Sequence, residues 1–379
     1  MRFEDILYTR LKIRDVCAIV GGCAIDSKDM RSSGKYQIIK MGNLYNGMLD
    51  LNRNPSFINE VQQNAKNYIL KYGDIVLTLT GTQGKRDYGF SAIISENKNL
   101  ILNQRCALLR TNLKCYDKYL YYFLKTSLFL NQFFTSSIGG TGNQTNVSIK
   151  ALNNFNICLP TKNEQIKIGD FLFLIDQRID TQSKIIEKYE SLISTIRTNI
   201  FSSLHCKWTK LCDLVENKSL QLNRGNIIPK HQKDDVYKYP VYSSSVQKDG
   251  LMGYSDYYMF DKELITWSID GGGDIFFREK HKFCVTNVCG ILQLDTNKFS
   301  YKFVAEALKY QHSKMTFDYQ TKAHPSVIEK LYALPDIELN EQDKYSKLFE
   351  ILYSKLGNER KYLEIIKEQK KYLLSNMFI

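Results

Sequence analysis

The sequence predicts an α+β protein in which two repeated α/β domains are separated by two long helices packed as an antiparallel coiled coil. Two observations predict this class: one segment occurs twice along the chain, and each copy carries a seven-residue apolar period. With 379 residues, 43% of them hydrophobic, each domain can bury a core of its own. The predicted boundaries are 1–160 and 205–337 for the domains, and 161–204 and 338–379 for the long helices.

The repeat is clearest in the helical segments. Asn163-Glu164-Gln165 recurs as Asn340-Glu341-Gln342, 177 positions later, and the two copies then align without a gap. The same offset pairs Phe201 with Phe378. Because self-similarity at a fixed period marks repeated architecture, the sequence indicates a duplicated unit.

Within each copy, apolar residues recur in alternating steps of four and three. One stripe runs from Ile168 to Ile200 and the other from Tyr345 to Met377. A seven-residue period over about five heptads is typical of a coiled coil, whereas an ordinary helix packed on a globule averages about 11–12 residues. The positions expected at the interface between the helices are Ile175, Ile179, Ile186, Ile193, Leu352, Leu356, Leu363 and Ile366.

The segments ahead of the two helices correspond more loosely. The run Gly73-Asp74-Ile75-Val76 matches Glu263-Leu264-Ile265, and a glycine-rich turn follows each run. Leu102-Asn103-Gln104-Arg105 is matched with Thr286-Asn287-Val288-Cys289, which pairs Asn103 with Asn287 inside apolar strands, where we expect structural hydrogen bonds. Each half is therefore predicted to be a mixed α/β domain of about 150 residues followed by its own long helix.

Charge and cysteine usage limit the class of protein. The net charge of +12 favours a polyanionic partner. The nine cysteines form no Cys-x-x-Cys pair and the five histidines complete no zinc spacing, so we expect free, mostly buried thiols. The sequence shows no membrane-spanning run and no signal-peptide core, which predicts a cytoplasmic protein.

The duplicated layout resembles the specificity subunits of type I restriction–modification systems. The resemblance covers essentially the whole chain and rests on the repeated order, on the run Gly73-Asp74-Ile75-Val76, and on a Leu-Pro sequence before each helix. The first is Leu159-Pro160, followed by Glu164-Gln165, and the second is Leu334-Pro335, followed by Glu341-Gln342. The second domain departs from the family's Gly-Asp-Ile run at Glu263-Leu264-Ile265.

The resemblance implies a function and a set of partners. Each target-recognition domain would read one half of a bipartite double-stranded DNA site, and the two helices would serve as a fixed spacer. The helices would also dock two DNA adenine methyltransferase subunits, and restriction nuclease/translocase subunits would join later. It implies that S-adenosylmethionine is held by the methyltransferase partner, and that this chain itself holds no cofactor.

Loops that combine glycine with basic and amide side chains are the candidates for DNA contact. Lysine and arginine suit phosphates, whereas Asn, Gln and Arg suit base edges in the major groove. In the first domain these loops supply Lys85, Arg86, Asn143 and Gln144, and in the second Lys230, Gln232, Lys233, Arg278, Lys280, His281, Lys282, Lys322 and His324. The stretch Lys322-Ala323-His324 is expected where Thr141–Asn146 lies in the first domain. For any one residue the alternative is a solvated loop side chain.

Three motifs that would suit catalysis are incomplete. Asn54-Pro55-Ser56-Phe57 is similar to the Asn-Pro-Pro-Tyr/Phe sequence of adenine methyltransferases, but no glycine-rich cofactor loop precedes it, and we interpret it as a turn. Pro335-Asp336 lacks the acid-x-Lys of a nuclease, and Gly139-Gly140-Thr141-Gly142 lacks the Lys-Ser/Thr of a P-loop. We therefore predict a non-catalytic DNA-recognition subunit. The alternatives are a coiled-coil assembly scaffold without specific DNA reading, and a DNA-modifying enzyme with an unrecognised site.

Overall fold

The computed structural model describes residues 8–61, 63–96, 98–139, 143–245, 247–270, 274–315 and 322–378. The chain divides into two compact units, Met1–Ser183 with Lys361–Ile379, and Lys184–Arg360. Each unit therefore contains one domain together with a part of each long helix. The predicted glycine turns at 140–142 and 271–273 lie outside the described residues.

The first unit contains the first domain. Its strands are β1 (Thr9–Lys12), β2 (Cys17–Gly21), β3 (Tyr36–Ile39), β4 (Phe57–Ile58), β5 (Ile75–Thr78), β6 (Thr80–Thr82), β7 (Ser91–Ile93), β8 (Leu100–Leu102), β9 (Cys106–Thr111), β10 (Ile138–Gly139), β11 (Gln144–Asn146) and β12 (Asn156–Leu159). Its helices are α1 (Asp117–Phe123), α2 (Ser127–Thr135), α3 (Ile149–Asn153) and the start of α4 (Lys162–Ser203).

A four-stranded antiparallel sheet, in the order β2-β9-β5-β7, forms the centre of the first domain. Alternate residues of β5 face opposite sides: Ile75 and Leu77 pack with the buried side chains of α1 and α2, whereas Val76 packs with Ile39 and Leu102. The latter two belong to a second sheet, β4-β3-β8, in which β3 and β8 run parallel. The central sheet is thus covered on both faces, which explains its continuous apolar sequence.

The second unit contains the second domain. Its strands are β13 (Trp208–Lys210), β14 (Leu220–Arg224), β15 (Tyr239–Tyr242), β16 (Leu251–Ser255), β17 (Phe260–Asp261), β18 (Leu264–Ser268), β19 (Ile275–Arg278), β20 (Lys282–Val285), β21 (Cys289–Leu294) and β22 (Ala333–Pro335). Its helices are α5 (Leu211–Glu216), α6 (Tyr301–His312), α7 (Pro325–Leu331) and the start of α8 (Leu339–Asn376).

The strand order of the second domain repeats that of the first. Its central antiparallel sheet runs β14-β21-β18-β19, and a second sheet, β16-β15-β20-β17, again contains a parallel pair, β15 and β20. In each domain the first strand pairs with the strand just before the long helix, β1 with β12 and β13 with β22. The predicted α+β class with two repeated domains is confirmed.

Backbone hydrogen bonds correct one detail of the repeat. The Cys106 amide donates to the Asn103 carbonyl at 3.1 Å, and the Cys289 amide donates to the Thr286 carbonyl at 3.0 Å. Asn103 therefore corresponds to Thr286, and the predicted pairing with Asn287 is wrong by one residue. The sequence match is guided by the asparagine that both segments contain. The hydrogen-bonded turn shows instead which residues of the two domains are equivalent.

The two long helices carry the predicted apolar stripe on their less exposed side. Among the predicted interface positions, Ile186, Ile193, Leu352, Leu356 and Ile366 are buried, and Ile175, Ile179 and Leu363 are half-buried. Helix α4 has 42 residues and α8 has 38.

The helix segments run antiparallel within each unit. In the first unit Asp176 contacts Lys370, and the Arg178 guanidinium lies 5.1 Å from the ring of Tyr362. In the second, Arg360 donates to Glu190 at 2.6 Å and Arg197 donates to the Tyr353 hydroxyl at 2.9 Å. In the described ranges, no helix combines the length and the apolar character needed to cross a membrane.

Candidate nucleic-acid interface

Lys85 and Arg86 lie exposed on the loop that leaves β6. The Asp87 carboxylate fixes this loop by accepting hydrogen bonds from the Thr82 hydroxyl at 2.7 Å and the Thr82 amide at 2.8 Å. These hydrogen bonds, the hydroxyl's first, lower the pKa of Asp87. The Arg86 guanidinium lies 5.0 Å from the ring of Phe134. Two cations are therefore presented on a structured turn.

Strand β11 places amide side chains beside this loop. In register, Gln144 pairs with Thr82 and Asn146 with Thr80, and both amides are exposed while Thr145 between them is buried. Directly opposed residues of antiparallel strands share a face, so these amides and hydroxyls form one polar surface. The strand period of two would have identified Asn146, which the sequence analysis missed.

Asn143 directly precedes this polar strand and lies in the left-handed backbone region, with a φ of +63°. Asparagine tolerates this conformation better than most residues. The Asn143 carbonyl accepts a hydrogen bond from the Gln83 amide at 3.0 Å, which joins the strand to the Lys85 loop. Asn143, Gln144, Lys85 and Arg86 thus lie on one hydrogen-bonded unit, the three-stranded sheet β10-β11-β6 and its loop.

In the second domain, Arg278 departs from its prediction. Its side chain is only 5% exposed, because β19 directs it into the domain. The guanidinium lies 3.8 Å from the ring of Tyr242 and 4.6 Å from that of Phe276, and Nε donates to the Thr266 hydroxyl at 3.0 Å. Burial lowers the pKa of Arg278 to about 10. Arg278 is therefore a core residue in this structure, and its contact with DNA stays a prediction that would require the side chain to leave this enclosure.

The residues after Arg278 lie nearer the surface. Lys280 and Lys282 are exposed, and the Lys282 ammonium lies 4.7 Å from the ring of Tyr258. His281 is half-buried: Nδ1 donates to the Glu279 carbonyl at 2.7 Å, and Nε2 lies 3.1 Å from the Tyr242 hydroxyl. His281 is therefore held by the domain, whereas the two lysines are available to a ligand.

The loop before β15 is pinned at His231. The ring of His231 stacks on that of Tyr237 at 3.9 Å, and its carbonyl accepts from the Tyr254 amide at 3.1 Å. The predicted residues Lys230, Gln232 and Lys233 flank this anchor and are all exposed.

The stretch Lys322-Ala323-His324 corresponds to first-domain positions that extend nearer α3 than predicted. The Val147 amide donates to the Leu79 carbonyl, as the Ala323 amide donates to the Ile269 carbonyl, each at 3.1 Å. Lys322-Ala323-His324 therefore matches Asn146-Val147-Ser148, so the predicted match to Thr141–Asn146 holds for Lys322 and is shifted toward α3 for Ala323 and His324. His324 caps α7 as Ser148 caps α3, and Lys322 forms a 2.8 Å ion pair with Asp270.

A buried glutamine attaches each long helix to the domain before it. Gln165 accepts from the Tyr116 amide at 2.9 Å and donates to the carbonyls of Lys114 and Pro160. Gln342 accepts from the Ser300 amide at 3.0 Å and donates to the carbonyls of Lys298 and Ile337. The repeated Asn-Glu-Gln sequence therefore encodes a repeated attachment, which we call the glutamine clip.

The clip aligns α1 with α6 and reveals an exchange of residue types. The Tyr122 hydroxyl of α1 donates to Asp176 of α4 at 2.7 Å. At the equivalent places in the second unit, the Tyr353 hydroxyl of α8 donates to Glu306 of α6 at 3.0 Å. The tyrosine and the carboxylate have changed sides.

Two cations surround the second carboxylate. Arg197 donates to Glu306 at 2.7 Å and Lys309 at 2.8 Å. Burial alone would raise the pKa of Glu306, but Lys309 and Arg197 outweigh it and lower the pKa. Each domain is thus held to both helices by a buried polar cluster whose chemistry differs between the units.

Other chemistry is sparse. Within the described ranges, no group of His, Cys, Asp and Glu side chains is arranged to hold a metal ion. All nine cysteines are free, and five of them are buried. Asn54 of the methyltransferase-like sequence has a φ of +46°, in keeping with the interpretation of that sequence as a turn.

The family model described as the type I restriction modification DNA specificity domain matches the chain twice, at residues 7–191 and 207–368. The chain belongs to this family. A specificity subunit is therefore the class of protein to which the repeated domains and helices of this chain correspond.

Individual relatives of this chain also carry the names of type I specificity subunits. A Mycoplasma pneumoniae protein whose name places it among type I specificity subunits is 34% identical over 149 residues, which are 37% of this chain and 46% of that protein. The type I restriction enzyme MpnII specificity subunit of the same species is 28% identical over 142 residues, 37% of this chain and 42% of that protein. The chain spans about half the length of the curated relatives it matches.

Solved structures share the fold. The S subunit of a type I restriction-modification system from M. genitalium matches with a TM-score of 0.64 at 18% identity, over 99% of this chain and 97% of that one. A chain from a study of complex assembly and conformational transition of the type I R-M system matches with a TM-score of 0.58 at 11% identity, over 97% and 96%. At these identities the likeness concerns the architecture alone.

Proposed function

We propose that this specificity-family chain recognises a bipartite DNA target, one half with each domain, and directs partner subunits to it without catalysing a reaction itself. The observation that carries the proposal is that one scaffold occurs twice with different polar side chains at equivalent surface positions. In the first domain Gln144 and Asn146 are both exposed. At the position of Asn146 the second domain has the exposed Lys322. A repeated scaffold with altered side chains suits the reading of two different half-sites.

The charge distribution supports DNA as the ligand. The exposed cations Lys85 and Arg86 in the first domain, and Lys230, Lys233, Lys280 and Lys282 in the second, suit contacts to phosphates. The tether between the domains makes the second contact effectively intramolecular, so two weak half-site contacts give strong binding.

A repeated apolar pair supports the binding of two methyltransferase subunits. Phe171 and Leu174 of α4 are exposed by 47% and 61%, and Leu348 and Ile351 of α8 by 39% and 55%. The 177-residue offset of the repeat relates the first pair to the second. Residues three positions apart are neighbours on a helix surface, so each pair forms one contiguous apolar patch, which suits a protein contact. Two equivalent pairs suit two copies of one partner.

The remaining chemistry belongs to the partners in this proposal. The methyltransferase subunits hold S-adenosylmethionine and transfer its methyl group to adenine, and restriction nuclease/translocase subunits complete the assembly. The chain itself binds the DNA target and the partner subunits and holds them in fixed relative positions.

The test is co-expression of the full chain with its cognate methyltransferase subunit in a host that lacks DNA methylation. Modified adenines are then mapped by single-molecule sequencing. We expect one split motif with a fixed gap. If an intact complex modifies no site, or modifies adenines without a motif, the proposal is overturned in favour of an assembly scaffold. Modification by the chain without its partner would instead indicate an enzyme.

A further inference from the structure

The turn between β8 and β9 presents two adjacent exposed side chains, Gln104 and Arg105. Within the described part of the chain, neither side chain is paired with another residue. Backbone hydrogen bonds hold the turn: the Asn103 amide donates to the Ile39 carbonyl at 3.0 Å, and the Cys106 amide to the Asn103 carbonyl at 3.1 Å. The backbone at Gly22 packs against this turn so closely that a Cβ at Gly22 would lie 2.0 Å from the backbone carbonyl oxygen of Asn103. The two side chains are thus displayed from a fixed backbone.

The turn borders a cavity of about 360 Å³ lined by Met30, Lys40, Met41, Gly42 and the segment 103–105. The cavity wall carries two cations, Lys40 and Arg105, and no lining residue is acidic. Lys40 is half-buried, and its ammonium donates to the Ser56 hydroxyl at 2.5 Å, which holds it at the wall. Two cations at the wall of one recess suit a DNA phosphate.

Leu79 ties this turn to the polar surface on β6 and β11. Its amide donates to the Arg105 carbonyl at 3.1 Å, and its carbonyl accepts from the Val147 amide at 3.1 Å. Leu79 directly precedes β6, and Val147 directly follows β11. The Gln104–Arg105 turn and the amides of β11 are therefore anchored to one residue and belong to one contiguous part of the first domain.

The second domain has the same turn with different chemistry. The Ile269 amide donates to the Val288 carbonyl at 2.9 Å, as Leu79 does to Arg105, so Asn287 and Val288 replace Gln104 and Arg105. The Asn287 carbonyl accepts two hydrogen bonds from the Arg224 guanidinium, at 2.7 and 3.0 Å. The second turn accordingly offers an amide and an apolar side chain, and no cation of its own.

We propose that Gln104 and Arg105 read base edges in the major groove of the first domain's half-site, while Lys40 binds the adjacent phosphate in the cavity. Arginine pairs with the O6 and N7 of guanine and glutamine with the N6 and N7 of adenine, each through two hydrogen bonds. The turn thereby determines the bases of one half-site only. This inference rests on the proposed function, since it requires that the first domain binds DNA.

The test uses the full chain in complex with its methyltransferase subunit. We compare the wild type with Arg105→Ala, Gln104→Ala, and the double variant Gln104→Asn with Arg105→Val, which copies the second domain's turn. Lys40→Ala tests the phosphate contact. Lys98→Ala is the matched control, because Lys98 is an exposed lysine of the first domain that forms an ion pair with Glu96 at 2.8 Å.

For Arg105→Ala and Gln104→Ala we expect relaxed or changed bases in one half of the methylated motif, an unchanged other half, and binding to the wild-type site weakened about tenfold to a hundredfold. Lys40→Ala should keep the motif and reduce the slope of log affinity against log salt by about one. Lys98→Ala should match the wild type.

Two results overturn the inference, and neither depends on misfolding, because the thermal transition of each variant is measured alongside. The first is that Arg105→Ala and Gln104→Ala keep both halves of the motif and wild-type affinity. The second is that they weaken both halves equally. If the wild-type complex itself modifies no motif, the proposed function fails, which is a separate outcome.

Discussion

At the scale of single residues, the glutamine clip illustrates how one side chain fixes a helix to a domain. Gln165 is 2% exposed and bonds the Tyr116 amide and the Lys114 carbonyl, which precede α1, together with the Pro160 carbonyl, which precedes α4. Leaving a buried polar group unsatisfied costs about 1–3 kcal/mol. The clip therefore contributes both stability and a defined direction for the helix.

We expect Gln165→Ala to lower the free energy of unfolding by about 1–3 kcal/mol, because it strands the Tyr116 amide and two carbonyls. Gln342→Ala should have an effect of similar size, since it breaks the equivalent bonds. The measurement is chemical denaturation followed by far-ultraviolet circular dichroism. Gln177→Ala, an exposed glutamine on the same helix, is the control and should change stability by less than about 0.5 kcal/mol. Equal stability of all four proteins would contradict the structural role of the clip.

Lys125 is a second residue with a measurable effect. Its ammonium donates to the Tyr121 hydroxyl at 2.6 Å and the Gly47 carbonyl at 3.3 Å, and burial, reinforced by Lys370, lowers its pKa to about 8. In the unfolded chain the pKa of a lysine is about 10.4. Between these two pKa values the unfolded chain binds more protons than the folded one, so this residue makes stability rise with pH.

We therefore expect the advantage of Lys125→Met over the wild type to be largest below pH 8 and to shrink by roughly 2–3 kcal/mol as the pH approaches about 10. The methionine removes the cost of burying a charge, and that cost also disappears from the wild type as Lys125 loses its proton. Denaturation of both proteins between pH 7 and 10 measures the difference. A stability difference independent of pH would show that Lys125 keeps its ordinary pKa.

At the scale of elements, the long helices were predictable because their information is local. The stripe from Ile168 to Ile200 is a period within one segment, and every one of its positions is buried or half-buried. The match between the domains depends instead on distant backbone bonds, so the sequence placed Asn103 opposite Asn287 rather than Thr286. The burial of Arg278 was likewise not predictable from its own stretch of sequence, because it depends on Tyr242 of β15 and Thr266 of β18.

The exposed faces of the helices give a prediction about partners. Replacing Phe171 with Glu and Leu174 with Lys should leave the thermal transition within a few degrees of the wild type, because both side chains are exposed. Loss of one apolar docking site should change the complex from two methyltransferase subunits to one, as should the same exchange at Leu348 and Ile351. Combining the two changes should abolish binding.

Mass photometry of the purified complexes counts the bound methyltransferase subunits. Leu113→Lys is the control, because Leu113 is an apolar side chain of the first domain that is 96% exposed. Two bound subunits in every variant would place the docking sites elsewhere.

At the scale of the whole molecule, the exchanged tyrosine and carboxylate predict which substitution a chain needs when one domain is replaced by the other. The helices carry Arg197 and Tyr353 where the second domain docks, and that domain supplies Glu306 as their buried partner. The first domain has Tyr122 at the equivalent place. A second copy of the first domain at this site would leave Arg197 buried without a carboxylate, which destabilises a protein by about 3–5 kcal/mol.

This reasoning gives a prediction for a chain in which residues 205–337 are replaced by a second copy of the first domain. The chimera should fold well only when it also carries Tyr353→Asp. The new aspartate would accept from the copied Tyr122, as Asp176 does in the first unit, and would give Arg197 a carboxylate. Tyr353→Asn is the neutral control. If each domain reads one half-site, the complex with methyltransferase should modify a motif with the same bases in both halves, mapped as for the wild type. Because Gln165 and Gln342 make equivalent bonds to their two domains, we expect the second copy of the first domain to attach in the same register. A folded chimera that still modifies the wild-type motif would show that the two halves of the target are not read by separate domains.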